Sequence, residues 1–318
     1  MAIKDYSGNT PSSSSYATTS NPGLMSATDK KKLDSLNSLA LDTLPIGSEV
    51  LINDSTTVPE GWEEVKDETY YRKDEKEIPY TWAEIQTKIK NDDVYDINIG
   101  DWKSISLSTG EKVIMEVAGI NCYRKYGGNT TQGAPVGNHI DFISRNCLKT
   151  TKTFANSGNN NGTSSEQSPF KAGPLYSYLN NTVYNQLPSY VQSIIIPKVL
   201  LYPVRYNGSG NAINDTGMVW GNYGKLWLPL EVEITGTFEQ TSKGAQEGKY
   251  QYPIFRKYGT DKMVKFKGET GSKCSWHTAS VGDGNYLNNI CITTAGDNAG
   301  GNNATNSELG FPICFRVG

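Results

Sequence analysis

Imidazole, thiol and paired carboxylate groups are the side chains on which neutral-pH catalysis and transition-metal binding draw first, and in this 318-residue chain they are few and scattered. The two histidines are His139 and His277. Neither has a Cys, Asp or Glu at the close helical spacing of a metal pair, and His139-Ile140-Asp141 lacks a third group to orient the imidazole. Both read as structural or surface histidines. The acid pairs Glu63-Glu64 and Asp92-Asp93 are adjacent on solvated segments and do not converge on a substrate. The five cysteines, Cys122, Cys147, Cys274, Cys291 and Cys314, form an odd set at wide, irregular spacing, unlike a disulfide framework or a zinc site. They read as reduced core residues, which places assembly in a cytoplasm. No phosphate-binding glycine loop, dinucleotide fingerprint, nucleophile elbow or zincin helix occurs. The turn Gly282-Asp283-Gly284-Asn285 has too few carboxylates around it for calcium. The expectation is a protein that is not an enzyme and holds neither metal nor cofactor.

Binding chemistry is better represented. The stretch Asp283 to Asn306 sets Asn285, Tyr286, Asn288, Asn289, Asn298, Asn302 and Asn303 among Gly, Ala and Thr. Asn amides both donate and accept, and with Tyr they suit hydroxyl-rich ligands or adaptable protein surfaces. With Trp220 and Trp276 these residues are the candidate ligand contacts. Net charge is only -3, so the field that draws proteins onto phosphate backbones or anionic lipid is absent and nucleic acid is not an expected partner. No apolar run is long enough to span a bilayer, and no signal-type apolar core follows Met1, so membrane insertion is not expected.

The elements that must carry such a surface follow from pattern. With 19 Tyr, 6 Trp and 32 Gly, the composition suits short strands joined by many turns. Residues 1–45 comprise a Ser-rich arm and, after the capping pattern Ser26-Ala27-Thr28-Asp29, a helix with Leu33, Leu36 and Ala40 in a stripe too narrow to be stable alone. That stripe calls for oligomerisation. Residues 46–75 read as a small β module and 76–96 as a linker containing a helix, Thr81 to Lys90, with Trp82, Ile85 and Ile89 on one face. From 97 to 318 short strands such as Lys112 to Ile120 and Leu226 to Ile234 alternate with Gly/Asn/Ser loops. Leu175, Leu179, Val183 and Leu187 then predict one helix and Val191, Ile194 and Ile195 a second. The fold class is α+β, mostly β. Thr153 to Gln167, Asn207 to Gly217 and Asp283 to Asn306 read as long loops without regular structure.

Three segments resemble known families. Asn21-Pro22-Gly23-Leu24-Met25-Ser26-Ala27-Thr28-Asp29-Lys30-Lys31-Lys32-Leu33-Asp34 resembles an element of phage fibre and baseplate proteins. Leu44-Pro45-Ile46-Gly47-Ser48 with Val58-Pro59-Glu60-Gly61-Trp62 looks like the start of a tail-collar or fibre β module, although Glu63-Glu64-Val65-Lys66-Asp67 replaces the collar family's Cys-Asp-Gly. The region from Ile97 onward is similar to an uncharacterised family found in phage tail proteins and gut-bacterial surface proteins. Its marks are Ile99-Gly100-Asp101, Leu175-Tyr176-Ser177-Tyr178-Leu179-Asn180, Lys225-Leu226-Trp227-Leu228-Pro229 and Gly310-Phe311-Pro312-Ile313-Cys314-Phe315. That family looks related to the C-type-lectin-like fold. The close cysteine pair of its formylglycine-generating branch is missing, as are the calcium signatures of its sugar-binding lectins. The resemblance implies a homotrimeric structural protein of the virion, assembled in the host cytoplasm. Its arm would dock on other virion proteins and its C-terminal domain would bind a host cell-surface glycan or protein. A capsid decoration or head fibre, and a polysaccharide-degrading tail enzyme, are the alternatives.

Overall fold

The structure is a computed structural model describing residues 49–51, 62–66, 69–72, 75–123, 137–156, 163, 168–204, 217–237, 251–282 and 288–318. The expected arm and oligomerisation helix, with Leu33, Leu36 and Ala40, lie outside the described residues, as do Asn285 and Tyr286 and most of Thr153 to Gln167 and Asn207 to Gly217. The fold mixes helix and strand, with more strand than helix, and its main sheet curls into a half-barrel.

Strands β1 (Glu49–Leu51), β2 (Trp62–Lys66) and β3 (Thr69–Arg72) form a small antiparallel sheet with β3 in the middle. Helix α1 (Trp82–Lys90) follows where the sequence placed it, because Thr81 builds a capping box. The Glu84 amide donates to Thr81 Oγ1 at 3.3 Å, and the Thr81 amide donates back to Glu84 Oε2 at 2.7 Å. Lys88 and Lys90 in the last turn complement the helix dipole. The stretch 76–96 is no linker. Ile78, Trp82, Ile85 and Ile89 are buried in the main core, and the Trp82 ring meets Phe142 at 5.1 Å and Phe315 at 5.7 Å. Such an aromatic cluster gains more from burial than a hinge gains from freedom.

The main sheet joins β4 (Trp102–Ser106), β5 (Lys112–Ile120) and β6 (Ile140–Ser144) to the chain's last strand. Between β6 and that last strand run the helical turns α2 (Pro169–Ala172), α3 (Pro174–Ser177), a π-helical stretch (Tyr178–Val183), α4 (Tyr184–Gln186) and α5 (Ser189–Gln192). The π stretch has a readable cause. Leu175, Leu179, Val183 and Leu187 recur every four residues, a spacing that drifts about 40° per step around an α-helix. The wider turn of a π segment winds in the opposite sense relative to that spacing, and all four side chains are buried. The expected second helix stops at Gln192; Ile195 instead opens β7 (Ile195–Ile196).

Beyond it come β8 (Val199–Val204), β9 (Gly217–Asn222), β10 (Leu226–Trp227), α6 (Glu231–Thr235), α7 (Pro253–Tyr258) and α8 (Thr260–Met263). The strand expected over Leu226 to Ile234 thus ends at Trp227. Pro229, which has no amide hydrogen to donate to a ladder, stands before α6. The chain closes with β11 (Lys265–Phe266), β12 (Lys273–Cys274), β13 (Trp276–Val281), β14 (Asn288–Ile292), β15 (Asn298–Asn303) and β16 (Cys314–Val317). In the main sheet the order is β10-β16-β6-β5-β4, with β7 also on β16. β6 and β16 are buried along their whole length.

Within the Asn-rich stretch expected as a loop, residues 288–292 and 298–303 are strands: β14 pairs with the fully buried β13 on one side and with β15 on the other. The low strand propensity of Asn and Gly is overridden by pairing onto a fully buried partner strand. Gly310 shows how tightly this region packs against the main sheet. A Cβ there would stand 2.9 Å from the Cβ and Sγ of Cys147 and the Sγ of Cys274. Gly310→Ala is therefore expected to destabilise the protein by about 1–3 kcal/mol, read as a lower urea midpoint at unchanged slope.

Candidate functional site

A cleft of about 550 Å³ opens between the end of β6 and the α8–β12 segment. One wall is Arg145 and Asn146; the other comprises Asp261, Lys262, Val264, Phe266, Glu269, Thr270 and Gly271. The hairpin β11–β12 supplies most of the second wall, and Asn146 pins it. Its side-chain oxygen accepts from the Phe266 amide at 3.2 Å, and its nitrogen donates to Glu269 at 3.2 Å.

Below the walls lies an ion network. Glu116 on β5, almost wholly buried, accepts from Arg145 Nε at 2.7 Å and from Lys262 Nζ at 2.8 Å. Lys262 also reaches Glu75 at 2.7 Å. The Arg145 guanidinium faces the Trp102 ring at 5.5 Å, and the Lys262 ammonium faces Tyr258 at 4.9 Å. Burial, with the charges of Glu75, Asp101 and Glu116, pushes the Tyr258 phenol above its ordinary range, so it stays a hydrogen-bonding hydroxyl. Both cations of the cleft are thereby neutralised from below. What faces outward is half-buried Phe266 with the exposed Asp261, Glu269 and Thr270. An apolar ring face beside converging carboxylate, hydroxyl and amide groups suits a neutral, hydroxyl-rich ligand, and the volume is that of an ordinary small-ligand pocket.

A second polar cluster is fully buried and holds the scaffold. Arg316 on β16 faces Asp141 on β6 directly across the ladder. The pair is bidentate, Nε to Oδ1 at 2.7 Å and Nη2 to Oδ2 at 2.8 Å. Tyr252 donates its hydroxyl to Asp141 at 2.8 Å. Nearby, Lys198 lies 2.6 Å from Glu233 and 3.7 Å from the centroid of Trp227. These groups are buried and paired, which is a structural arrangement. Among the described residues no group of three His, Cys, Asp or Glu could hold a metal, and no helix is long and apolar enough to cross a membrane.

A family model described as a domain of unknown function, DUF6273, matches residues 144–317, more than half of the chain. The chain belongs to this family. No curated protein and no solved structure matches it. Both cleft walls lie within the DUF6273 match, whereas the network carboxylates Glu75 and Glu116 come from before it. Strand β5 and helix α1 also precede the match yet build the same sheet and core.

The residues singled out from sequence fare unevenly against this geometry. Trp276 is buried and donates Nε1 to the Met263 carbonyl at 2.8 Å. Asn289 is buried on β14, where its Nδ2 lies 2.9 Å from His277 Nδ1 and 3.0 Å from the Ile290 carbonyl. Both are scaffold rather than exposed contacts. Trp220 lies on β9, Asn288 on β14, and Asn298, Asn302 and Asn303 on β15; their side chains fall outside the described residues. His139 and His277 are both buried and hydrogen-bonded to main-chain carbonyls, His139 to Gly137 and Cys122 and His277 to Lys152. Sequence reasoning missed the cleft. The available signal was the charged run Asp261-Lys262 and Lys265 to Glu269, set beside the Gly268 and Gly271 turn and broken by a single Phe.

Proposed function

We propose that this chain is a non-enzymatic subunit of a bacteriophage particle, a tail-fibre or tail-tip protein that binds a neutral, hydroxyl-rich glycan of the host surface through the cleft between β6 and the β11–β12 hairpin. The observation that carries the reading is the cleft itself. Its buried carboxylate Glu116 and the neighbouring Glu75 are tied to Arg145 and Lys262, which supports binding over acid–base chemistry, because a proton donor or acceptor must be free to reach the substrate. The resemblance of residues 21–34 to phage fibre and baseplate elements supports attachment to a virion, with Leu33, Leu36 and Ala40 forming the seam of a homotrimer. The C-type-lectin-like resemblance of the C-terminal region supports a binding surface carried on a mixed scaffold.

The reading predicts that the purified full chain, added to host cells before the phage, saturates the surface ligand and lowers adsorption at least tenfold, and that antibody to the chain labels tail tips in electron micrographs. Full adsorption in the presence of excess chain, or label confined to heads, would refute it.

A further inference from the structure

We propose that Cys147 and Cys274 form a redox-active pair that closes to a disulfide when the protein meets a small-molecule disulfide such as oxidised glutathione, fastening the outer wall of the cleft to the main sheet. The two residues are far apart in sequence but share one spot. Cys147 follows β6 and donates its amide to the Phe266 carbonyl at 2.9 Å, while its own carbonyl accepts from Gly268 at 2.8 Å. Cys274 pairs with Lys265 across the β11–β12 hairpin. Both side chains turn to the same face of Gly310, where one added Cβ would lie 2.9 Å from each sulfur. The two sulfurs are close enough for each thiol to perturb the acidity of the other.

The electrostatics favour the reaction at one sulfur. The adjoining Cys147 thiol, with help from the Lys267 and Lys265 ammonium groups, holds the Cys274 thiol below its ordinary range, while burial holds Cys147 above it. Cys274 is the attacking thiolate and Cys147 the resolving thiol. The Cys274 sulfur displaces one glutathione thiolate, forming a mixed disulfide. Cys147 then loses its proton to solvent and attacks the Cys274 sulfur, expelling the second glutathione thiolate. Two protein thiols are oxidised and one glutathione disulfide is reduced to two thiols, so electrons and protons balance. The other cysteines are also buried, and burial holds the thiols of Cys122 and Cys314 above their ordinary range.

The test is a thiol count on the full chain. Protein purified in reductant should take up five alkyl groups on denaturation in iodoacetamide, matching its five cysteines. After equilibration with oxidised glutathione it should take up two fewer, yield a tryptic pair linking Cys147 to Cys274, and melt at a higher temperature. Cys147→Ser and Cys274→Ser should lose no alkylation sites to an internal cross-link and show no rise in melting temperature. Because both thiols are buried, the reduced chain is also refolded from denaturant in the same buffer, which removes access as a barrier. A full count after both treatments, a cross-link between other cysteines, or a mixed disulfide that persists on Cys274 would overturn the proposal.

Discussion

Replacing Arg316 with Met is expected to destabilise the protein by about 3–5 kcal/mol at neutral pH, enough to unfold a domain of ordinary stability under mild denaturant. The side chain is wholly buried, and it faces a wholly buried carboxylate. Burial alone would raise the Asp141 carboxyl. The charge of Arg316 and its two hydrogen bonds overcome that and hold the carboxyl below its usual range. With Met in place, Asp141 keeps the Tyr252 hydroxyl but loses its counter-charge, and the variant can relieve the unpaired anion only by taking up a proton. The deficit should therefore shrink as pH falls toward the raised carboxyl pKa of the variant. A second consequence separates this mechanism from simple loss of packing. Arg316→Met with Asp141→Leu removes both charges and should recover much of the loss, giving a coupling energy above about 2 kcal/mol in a double-mutant cycle from urea melts. Additive losses would mean that the pair is not energetically coupled.

Acidification should weaken the wild-type protein through His277. In the neutral ring, Nε2 donates to the Lys152 carbonyl at 3.1 Å, and Nδ1 accepts from the Asn289 amide nitrogen 2.9 Å away. Protonating Nδ1 would set two donors against each other in a dry interior. Burial, the larger effect, pushes the imidazole down to about 4. The unfolded chain thus binds this proton at higher pH than the native one, so the contribution of His277 is complete above about pH 6.5 and is lost as pH falls toward 4. A shift of that size is worth about 3 kcal/mol. His139 adds in the same direction, because burial and the nearby Arg316 charge lower it too. Asp101, raised by burial, works the other way. Comparison of variants isolates His277: His277→Gln should be less stable than wild type at pH 7, but should lose less on going to pH 4.5. Equal slopes for the two proteins would show that His277 takes up its proton at the same pH in the native and unfolded states, and would contradict the account.

How much of this was readable depends on the range of each interaction. Helix α1 was legible because an i, i+3, i+7 apolar stripe is a local signal, and β5 appears over the same residues the sequence indicated. Its neighbour in meaning, the stretch 76–96, was misread because charge and Pro79 look like linker composition, while the Trp82 contacts with Phe142 and Phe315 are made across the whole chain. The strands of the Asn-rich segment were hidden for the same reason, since β13 supplies the pairing that their own residues do not favour. Asp141 and Arg316 each stand alone in an apolar run of the sequence; only the β6–β16 register sets them face to face. The cleft and the network beneath it assemble Glu75, Glu116, Arg145 and the Lys262–Glu269 stretch from four separated segments, and no spacing rule joins them.

The most direct measurement is binding of the full chain to an array of purified bacterial envelope polysaccharides, run beside a variant carrying Asp261→Ala, Glu269→Ala and Thr270→Ala. These side chains are exposed, so the variant should fold, with Asp261→Ala and Thr270→Ala each costing within about 0.5 kcal/mol and Glu269→Ala about 1 kcal/mol through the lost Asn146 hydrogen bond. Each also removes a hydrogen-bonding group worth about 1 kcal/mol to a bound ligand. The expected result is retention of wild type on a subset of neutral polysaccharides and at least tenfold weaker retention of the variant. Failure of the wild type to bind any polysaccharide, or equal binding by a folded variant, would contradict the assignment of the cleft as the host-binding site.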